Sequence, residues 1–192
     1  DYNALGFHQP LVVDNTGIWR DKQALQKHLD AGAGKVLLTA PGKGDMKNIV
    51  FGVNENMMAD DDKILSAASC TTNAITPVLK VINDRFGVEA GHIESVHSYT
   101  NDQNLIDNYH EADRRGRSAP LNMVLTETGA AKAVAKALPE LDGKLTGNAI
   151  RVPTPNVSMA IINLTLLNGT DKQGLNSILD EAAMSSPLQD QI

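Results

Sequence analysis

The sequence predicts an α/β chain, with a parallel sheet and crossover helices in front and an α+β part with longer, antiparallel-style strands behind. Three observations carry this. Short β-branched or apolar runs alternate with a helical pattern between residues 11 and 69. The joins between them are short, and strand–helix–strand with short joins is how parallel strands are linked. From Thr71 onward the texture changes to strongly amphipathic helices and longer strands, so the seam falls near residues 66–70.

The elements follow in order. "LVVDNTG" is a β-branched run ending in a glycine turn and reads as a buried strand. "RDKQALQKHLDAGAG" carries Ala24, Leu25 and Leu29 at helical spacing and closes at Gly32 or Gly34. "KVLLTAP" is a second strand, stopped by Pro41 and Gly42; "NIVFGVN" reads as a third and "KILSAAS" as a fourth. From Thr71, the positions Ile75, Val78, Leu79, Ile82 and Phe86 form one apolar helix face with Gly87 as its C-cap. Pro77 costs that helix a backbone bond unless it lies near the first turn. "HIESVHSYT" is a strand with His97 near its end. The polar stretch 101–124 has no period, and a loop of that length is usually functional or an interface element. "TGAAKAVAKALPEL" is an Ala-rich helix stopped at Pro139, and "AIRVPTPNVSMAIINLTLL" supplies two strands around a Pro-containing bend. "GLNSILDEAAM" is a last helix, with Thr170 or Asn176 as N-cap.

At 192 residues the chain can bury a real core, as one domain or one and a half. A composition of 42% hydrophobic and 21% charged residues is that of an ordinary globular protein. The net charge of −6 argues against broad nucleic-acid or anionic-membrane binding, which needs a basic face. The one basic cluster, "DRRGR", sits among polar loop residues and reads as a solvated face. No apolar run approaches the roughly 18 residues that span a bilayer, and no basic-then-apolar leader opens the chain. The single cysteine excludes a disulfide scaffold and fits a reducing, cytoplasmic setting. Neither end resembles a natural terminus, so a longer parent protein is expected.

That cysteine, Cys70, is either a small buried filler or a nucleophile. It stands at the entry of a helix, whose N-terminal N–H groups favour a thiolate and can hold an oxyanion. Ser69, Thr71, Thr72 and Asn73 surround it with hydrogen-bonding groups. Metal binding is not expected, because one cysteine and scattered histidines offer no ligand pair at zinc spacing. Of five histidines, His8 and His28 read as surface residues, while His97 ends a strand that could lie beside the one feeding Cys70. Residue chemistry alone leaves the choice open.

The segment "SAASCTTNAITPVLKVINDRFG" resembles the active-site segment of phosphorylating glyceraldehyde-3-phosphate dehydrogenases, where S-C-T-T-N carries a nucleophilic cysteine. "VDNTG" is similar to that family's E-S-T-G turn, and "AGAGKVLLTAPGKG" to the strand and loop after it. "TETGAAKAVAKALPELDGKLTGNAIRVPTPNVS" matches the family pattern almost residue for residue. "HSYTNDQNLIDNYHEADRRGR" is similar to the longer-loop relatives, including photosynthetic and erythrose-4-phosphate forms. The resemblance covers nearly the whole chain. It departs from the family in lacking the glycine-rich G-x-G-x-x-G turn, the acidic residue after it, and the family's last helix with its cofactor-binding asparagine. Ala74 stands where the family often has a second cysteine.

The resemblance implies that residues 1–69 are the C-terminal part of a Rossmann-like NAD(P)-binding domain. Residues 70–192 would be a C-terminally incomplete catalytic domain with a large mixed or antiparallel sheet. By the same resemblance Cys70 attacks the aldehyde and His97 is the base. Thr100 and Arg151 hold the substrate's phosphate, where a guanidinium fork suits phosphate oxygens. Ser69, Thr128 and Gly129 match the site of the attacking phosphate, with Thr71 a further substrate- or phosphate-binding residue, and Thr16, Gly17 and Thr39 line the NAD or NADP cofactor. Glyceraldehyde 3-phosphate and inorganic phosphate are the implied substrates and a homotetramer the implied assembly, with no nucleic acid, membrane or metal partner. The isolated chain is expected to be poorly active. The nearest rival is an erythrose-4-phosphate dehydrogenase, disfavoured by Thr100 and the Thr128–Gly129 pair. A truncated, non-catalytic interaction module is the rival of another class.

Overall fold

Three parallel strands come first. In the computed structural model, which describes residues 1–112 and 114–192, β1 (Leu11–Asp14), β2 (Lys35–Leu38) and β3 (Ile64–Ser66) pair in that order. Helix α1 (Lys22–Asp30) is the crossover between β1 and β2. It is capped by Asp21, whose carboxylate accepts from the Ala24 N–H at 2.8 Å, and Gly32 ends it in the left-handed region. Leu25, Val36, Leu38, Met46 and Ile64 are buried in one cluster, with Trp19 and Leu29 packed against it. Only one face is covered: Asp14, Val36, Leu38 and Ile64 are buried, while Leu11 and Val13 on the other face of β1 are exposed, so the run expected to be a buried strand is buried on one side alone.

The expected strand at residues 48–54 does not form. Asn48 makes a single parallel bridge to Ser66, and the backbone then turns. The cause is Asn54, which is buried: its side-chain oxygen accepts from the Val50 N–H at 2.7 Å and its amide donates to the Asn48 carbonyl at 3.0 Å. One side chain thus satisfies the backbone groups that a neighbouring strand would have taken. Val50 still turns inward, beside Ala68 and Ala137, while Phe51 is left exposed.

Helix α2 (Cys70–Phe86) follows β3 directly and carries Pro77 in its interior. Its buried face is Thr72, Ile75, Thr76, Leu79 and Ile82, so two threonines join the apolar stripe the spacing predicted, and Phe86 is only half-buried. The Thr76 hydroxyl donates to the Thr72 carbonyl at 2.6 Å just before the proline. Gly87 closes the helix with φ of +70°.

A second sheet has the order β5-β6-β4-β7. Its members are β4 (Val88–Ser98), β5 (Val124–Thr126), β6 (Leu145–Val152) and β7 (Met159–Leu166). The β4–β6 pair is parallel; β4–β7 and β5–β6 are antiparallel, so the sheet is mixed. The short β5 went unrecognised in the sequence, where residue 124 reads as the end of a loop. Helix α3 (Ala130–Ala137) and a short 3-10 turn at Pro139–Leu141 lie between β5 and β6. Helix α4 (Lys172–Ser185) is capped by Asp171, whose carboxylate accepts from the Gly174 N–H at 2.7 Å, and not by Thr170 or Asn176. An aspartate one residue before the helix reaches that amide and also favours the positive end of the helix dipole.

The chain divides into two compact units. One comprises Asp1–Ile82, Lys136–Pro139 and Asp171–Ile192 and holds the parallel sheet; the other comprises Asn83–Ala135 and Glu140–Thr170 and holds the mixed sheet. In the second unit the "DRRGR" run is more engaged than a solvated face. Arg115 is half-buried, donates to Thr126 and pairs with Asp102, while Arg117 pairs with Asp107. Asp113 of that run lies outside the described residues. Among the described residues no helix is long and apolar enough to cross a membrane.

Candidate active site

The turn between β3 and α2 presents the cysteine. Ala68 is buried and sits at φ of +59°, a left-handed backbone that costs a residue with a Cβ about 1–2 kcal/mol. Several bonds hold it there. The Ser66 hydroxyl accepts from the Ala68 N–H at 3.0 Å, and the Asn73 amide donates to the Ala67 and Ser69 carbonyls at 2.7 and 2.9 Å. Ser69 is the helix cap: its hydroxyl accepts from the Thr72 N–H at 3.0 Å and its carbonyl from the Asn73 N–H at 2.9 Å. Cys70 is therefore the first helical residue and is exposed, with its sulfur 4.0 Å from the Thr71 hydroxyl. The N–H groups of Cys70 and Thr71 stand outside the helix ladder at the positive end of the dipole. A filler cysteine would be buried; this one is not.

In the second unit, parallel pairing of β4 with β6 sets His97 opposite Arg151. The Arg151 Nη1 lies 3.1 Å from His97 Nδ1, 3.1 Å from the Ser98 carbonyl and 3.3 Å from the Thr100 hydroxyl. His97 Nδ1 is itself 2.6 Å from the Ser98 carbonyl. A carbonyl only accepts, so the tautomer in which Nδ1 donates to Ser98 leaves the basic lone pair on Nε2, and the tautomer in which Nδ1 accepts from Arg151 puts the proton there instead.

Thr128 and Gly129 precede α3. The Thr128 hydroxyl accepts from the Ala130 N–H at 3.1 Å, and the Gly129 carbonyl starts the helix by accepting from Ala133 at 2.9 Å. Thr128 packs towards Gly147 of β6, where a Cβ would stand 3.4 Å from the threonine methyl and 2.9 Å from the Ile93 carbonyl. Only glycine permits that approach.

Thr16, Gly17 and Thr39 stand exposed just past the C-terminal ends of β1 and β2. Ligands of open parallel sheets bind at that edge. Gly17 has φ of +74° and nothing within 4 Å of where a Cβ would project, so a ligand can approach its backbone. Two exposed hydroxyls and an uncovered glycine backbone offer a ligand hydrogen-bonding groups at that edge. Among the described residues no cluster of three or more His, Cys, Asp or Glu side chains could hold a metal ion.

Sequence reasoning missed the group beneath this edge. Asp14 is buried; one of its oxygens accepts from the Thr16 N–H at 2.9 Å and hydroxyl at 2.8 Å, and the other meets His28 Nε2 at 3.0 Å. Burial pushes the carboxyl up, but the bonds from His28 and Thr16 outweigh it and hold it below the ordinary aspartate range. His28, read from the sequence as a surface residue, is mostly covered, with Nδ1 2.8 Å from the Tyr2 hydroxyl and the Trp19 ring edge-on to it. Helical position shows the face but not the partner. An aspartate directly before the N-T-G turn was the only signal available.

The structure thus brings together His97, Thr100 and Arg151 in one unit, and Thr16 with Thr39 in the other, where Ser69, Cys70 and Thr71 share the first turn of α2. Comparisons with known proteins agree on one family. A model of the "Glyceraldehyde 3-phosphate dehydrogenase, C-terminal domain" matches residues 69–191. A glyceraldehyde-3-phosphate dehydrogenase-like protein of Pseudomonas aeruginosa is 64% identical over all of this chain and 42% of its own length. A chloroplastic glyceraldehyde-3-phosphate dehydrogenase of Arabidopsis thaliana is 47% identical over 90% of the chain and 44% of its own length. The enzyme of Zymomonas mobilis is 47% identical over 90% of the chain and 52% of its own length. The chain belongs to the glyceraldehyde-3-phosphate dehydrogenase family, and it spans about half the length of the curated relatives it matches.

Proposed function

We propose that the whole protein oxidises glyceraldehyde 3-phosphate and traps the product with inorganic phosphate as 1,3-bisphosphoglycerate. The observation that carries this is the meeting of Arg151 and Thr100 beside His97, a cation and a hydroxyl next to a base. A phosphorylated aldehyde needs those three groups: two to hold its anion and one to take a proton.

In this reading the Cys70 thiolate adds to the aldehyde carbon, forming a hemithioacetal whose hydroxyl hydrogen-bonds to His97 Nε2. The helix N-terminus steadies the developing oxyanion. His97 takes the hydroxyl proton as the carbon is oxidised to the thioester. A nicotinamide coenzyme, NAD or NADP, supplies the hydride acceptor when bound, held in part by Thr16, Gly17 and Thr39. Inorganic phosphate, held by Ser69, Thr128 and Gly129, then attacks the thioester carbonyl, and the Cys70 thiolate leaves, with Thr71 a further substrate- or phosphate-binding residue. Residues 1–69 serve as the tail of the coenzyme domain and residues 70–192 as most of the catalytic domain. A homotetramer in a reducing cytoplasm completes the proposal, since an exposed nucleophilic thiol survives best there.

Steady-state turnover of the full-length protein tests it, with glyceraldehyde 3-phosphate and with erythrose 4-phosphate, each with and without phosphate. Phosphate-dependent coenzyme reduction with the triose phosphate is expected. Phosphate-independent turnover that prefers the four-carbon sugar would overturn it.

A further inference from the structure

Two of the three residues assigned to the coenzyme edge bond to one buried residue that takes no part in the scheme above, Thr16 to its side chain and Thr39 to its backbone carbonyl. We propose that Asp14 is the positioning residue of this edge and sets the hydrogen-bonding polarity of both threonines, of Thr16 through its carboxylate and of Thr39 through its backbone carbonyl; the inference rests on reading Thr16 and Thr39 as coenzyme contacts. The carboxylate fixes Thr16 twice, through its N–H at 2.9 Å and its hydroxyl at 2.8 Å. The Asp14 carbonyl fixes Thr39 twice, accepting from its N–H at 3.0 Å and its hydroxyl at 3.2 Å. His28, steadied by the Tyr2 hydroxyl and Trp19, holds the second carboxylate oxygen and so the rotamer.

Polarity follows from donor counting. Carboxylates and carbonyls only accept, so each threonine hydroxyl must spend its single hydrogen on Asp14. Thr16 then receives the Ile18 N–H at 3.3 Å on one lone pair. What the two hydroxyls turn outward is lone pairs alone. The ligand group they meet is therefore an N–H or O–H donor, such as a carboxamide or a ribose hydroxyl, and not a phosphate oxygen.

The test uses the full-length protein, with NAD affinity by titration calorimetry and amide hydrogen exchange in the absence of coenzyme. Asp14→Ala should weaken NAD binding about tenfold and speed exchange at Thr16, which loses the carboxylate, more than at Thr39, which keeps the backbone carbonyl, with the KM for inorganic phosphate within twofold of wild type. Asp14→Asn, which keeps an oxygen facing Thr16, should recover binding to within about threefold. If Asp14→Ala does not fold, Asp14→Ser, which is too short to reach both Thr16 hydrogens, carries the same expectation. Thr16→Val and Thr39→Val separate the two levels of the argument. If neither weakens NAD binding, the coenzyme reading of this edge falls and the role of Asp14 with it. If they weaken binding and the Asp14 variants do not, the role of Asp14 alone is overturned. Two analogues locate the donor: 3-acetylpyridine adenine dinucleotide, with a methyl for the amide N–H₂, and a nicotinamide 2′-deoxyriboside form. One of them should lose more affinity in wild type than in the valine variants. Equal losses in all proteins for both analogues would overturn the polarity assignment.

Discussion

Arg151 and Thr128 belong to different steps of the proposed reaction, and their variants should differ accordingly. Arg151 faces His97, the Ser98 carbonyl and Thr100, and an anion gripped there is held in both ground and transition states. Arg151→Ala should cost on the order of 2–4 kcal/mol, roughly thirty- to a thousandfold in kcat/KM for the phosphorylated aldehyde. Arg151→Lys should recover only part of that, because an ammonium keeps the charge but loses the planar fork. A fall of less than about threefold for the alanine variant would move the substrate phosphate elsewhere. Thr128 stands at the entry to α3, its hydroxyl turned to the Ala130 amide. Thr128→Ala should chiefly raise the KM for inorganic phosphate while the first turnover still shows a full burst of reduced coenzyme. Loss of the burst with an unchanged phosphate KM would assign the residue to the oxidation step.

Two asparagine and aspartate side chains decide local structure at the level of elements, with unequal stakes. Asn54 is buried and serves the Val50 N–H and the Asn48 carbonyl, which have no strand neighbour in its place. Asn54→Ala strands two buried backbone groups and should destabilise the protein by about 2–4 kcal/mol. Asp171 caps an exposed helix end, where water can replace the lost carboxylate. Asp171→Ala should cost only about 0.5–2 kcal/mol and leave turnover unchanged. Urea unfolding of both variants checks the ranking, and an Asn54→Ala protein as stable as wild type would refute the account of why no strand forms there. The α2 entry shows the same logic. The left-handed Ala68, the Ser69 cap and the Asn73 clamp form one turn, and its product is an exposed Cys70.

For the whole molecule, Asp14 makes stability depend on pH. Its folded carboxyl is held below the usual aspartate value of about 3.9, because the bonds from His28 and Thr16 outweigh the burial that raises it. A depressed carboxyl adds stability above the unfolded value and loses it as pH falls through the lower, folded one. Wild type should therefore exceed Asp14→Asn in stability at pH 6, and the gap should close below about pH 4. Urea midpoints between pH 6 and pH 3 measure it. A gap that stays constant across that range would remove the carboxylate charge as its source.

The sequence by itself determined the fold class, most element positions and the family. Those follow from local pattern: β-branched runs, the helical stripe of α2, glycine at its end, and the S-C-T-T-N segment. The Asp171 cap was a local signal left unread, but two other errors share a tertiary cause. The run at 48–54 has strand composition, yet whether a run pairs depends on what meets its backbone, and Asn54 is such a partner. His28 sits on a helix face that looks solvated, but Asp14, Tyr2 and Trp19 reach it from elsewhere in the chain. At the site, the residue types were legible in the motifs, while the meeting of Arg151 with His97 and Thr100 exists only through the register of β4 on β6. The contacts of His97 Nδ1 and the donors' direction at Thr16 and Thr39 are likewise tertiary. Each depends on which acceptor lies within about 3 Å of a given hydrogen, and periodicity carries no record of such distances.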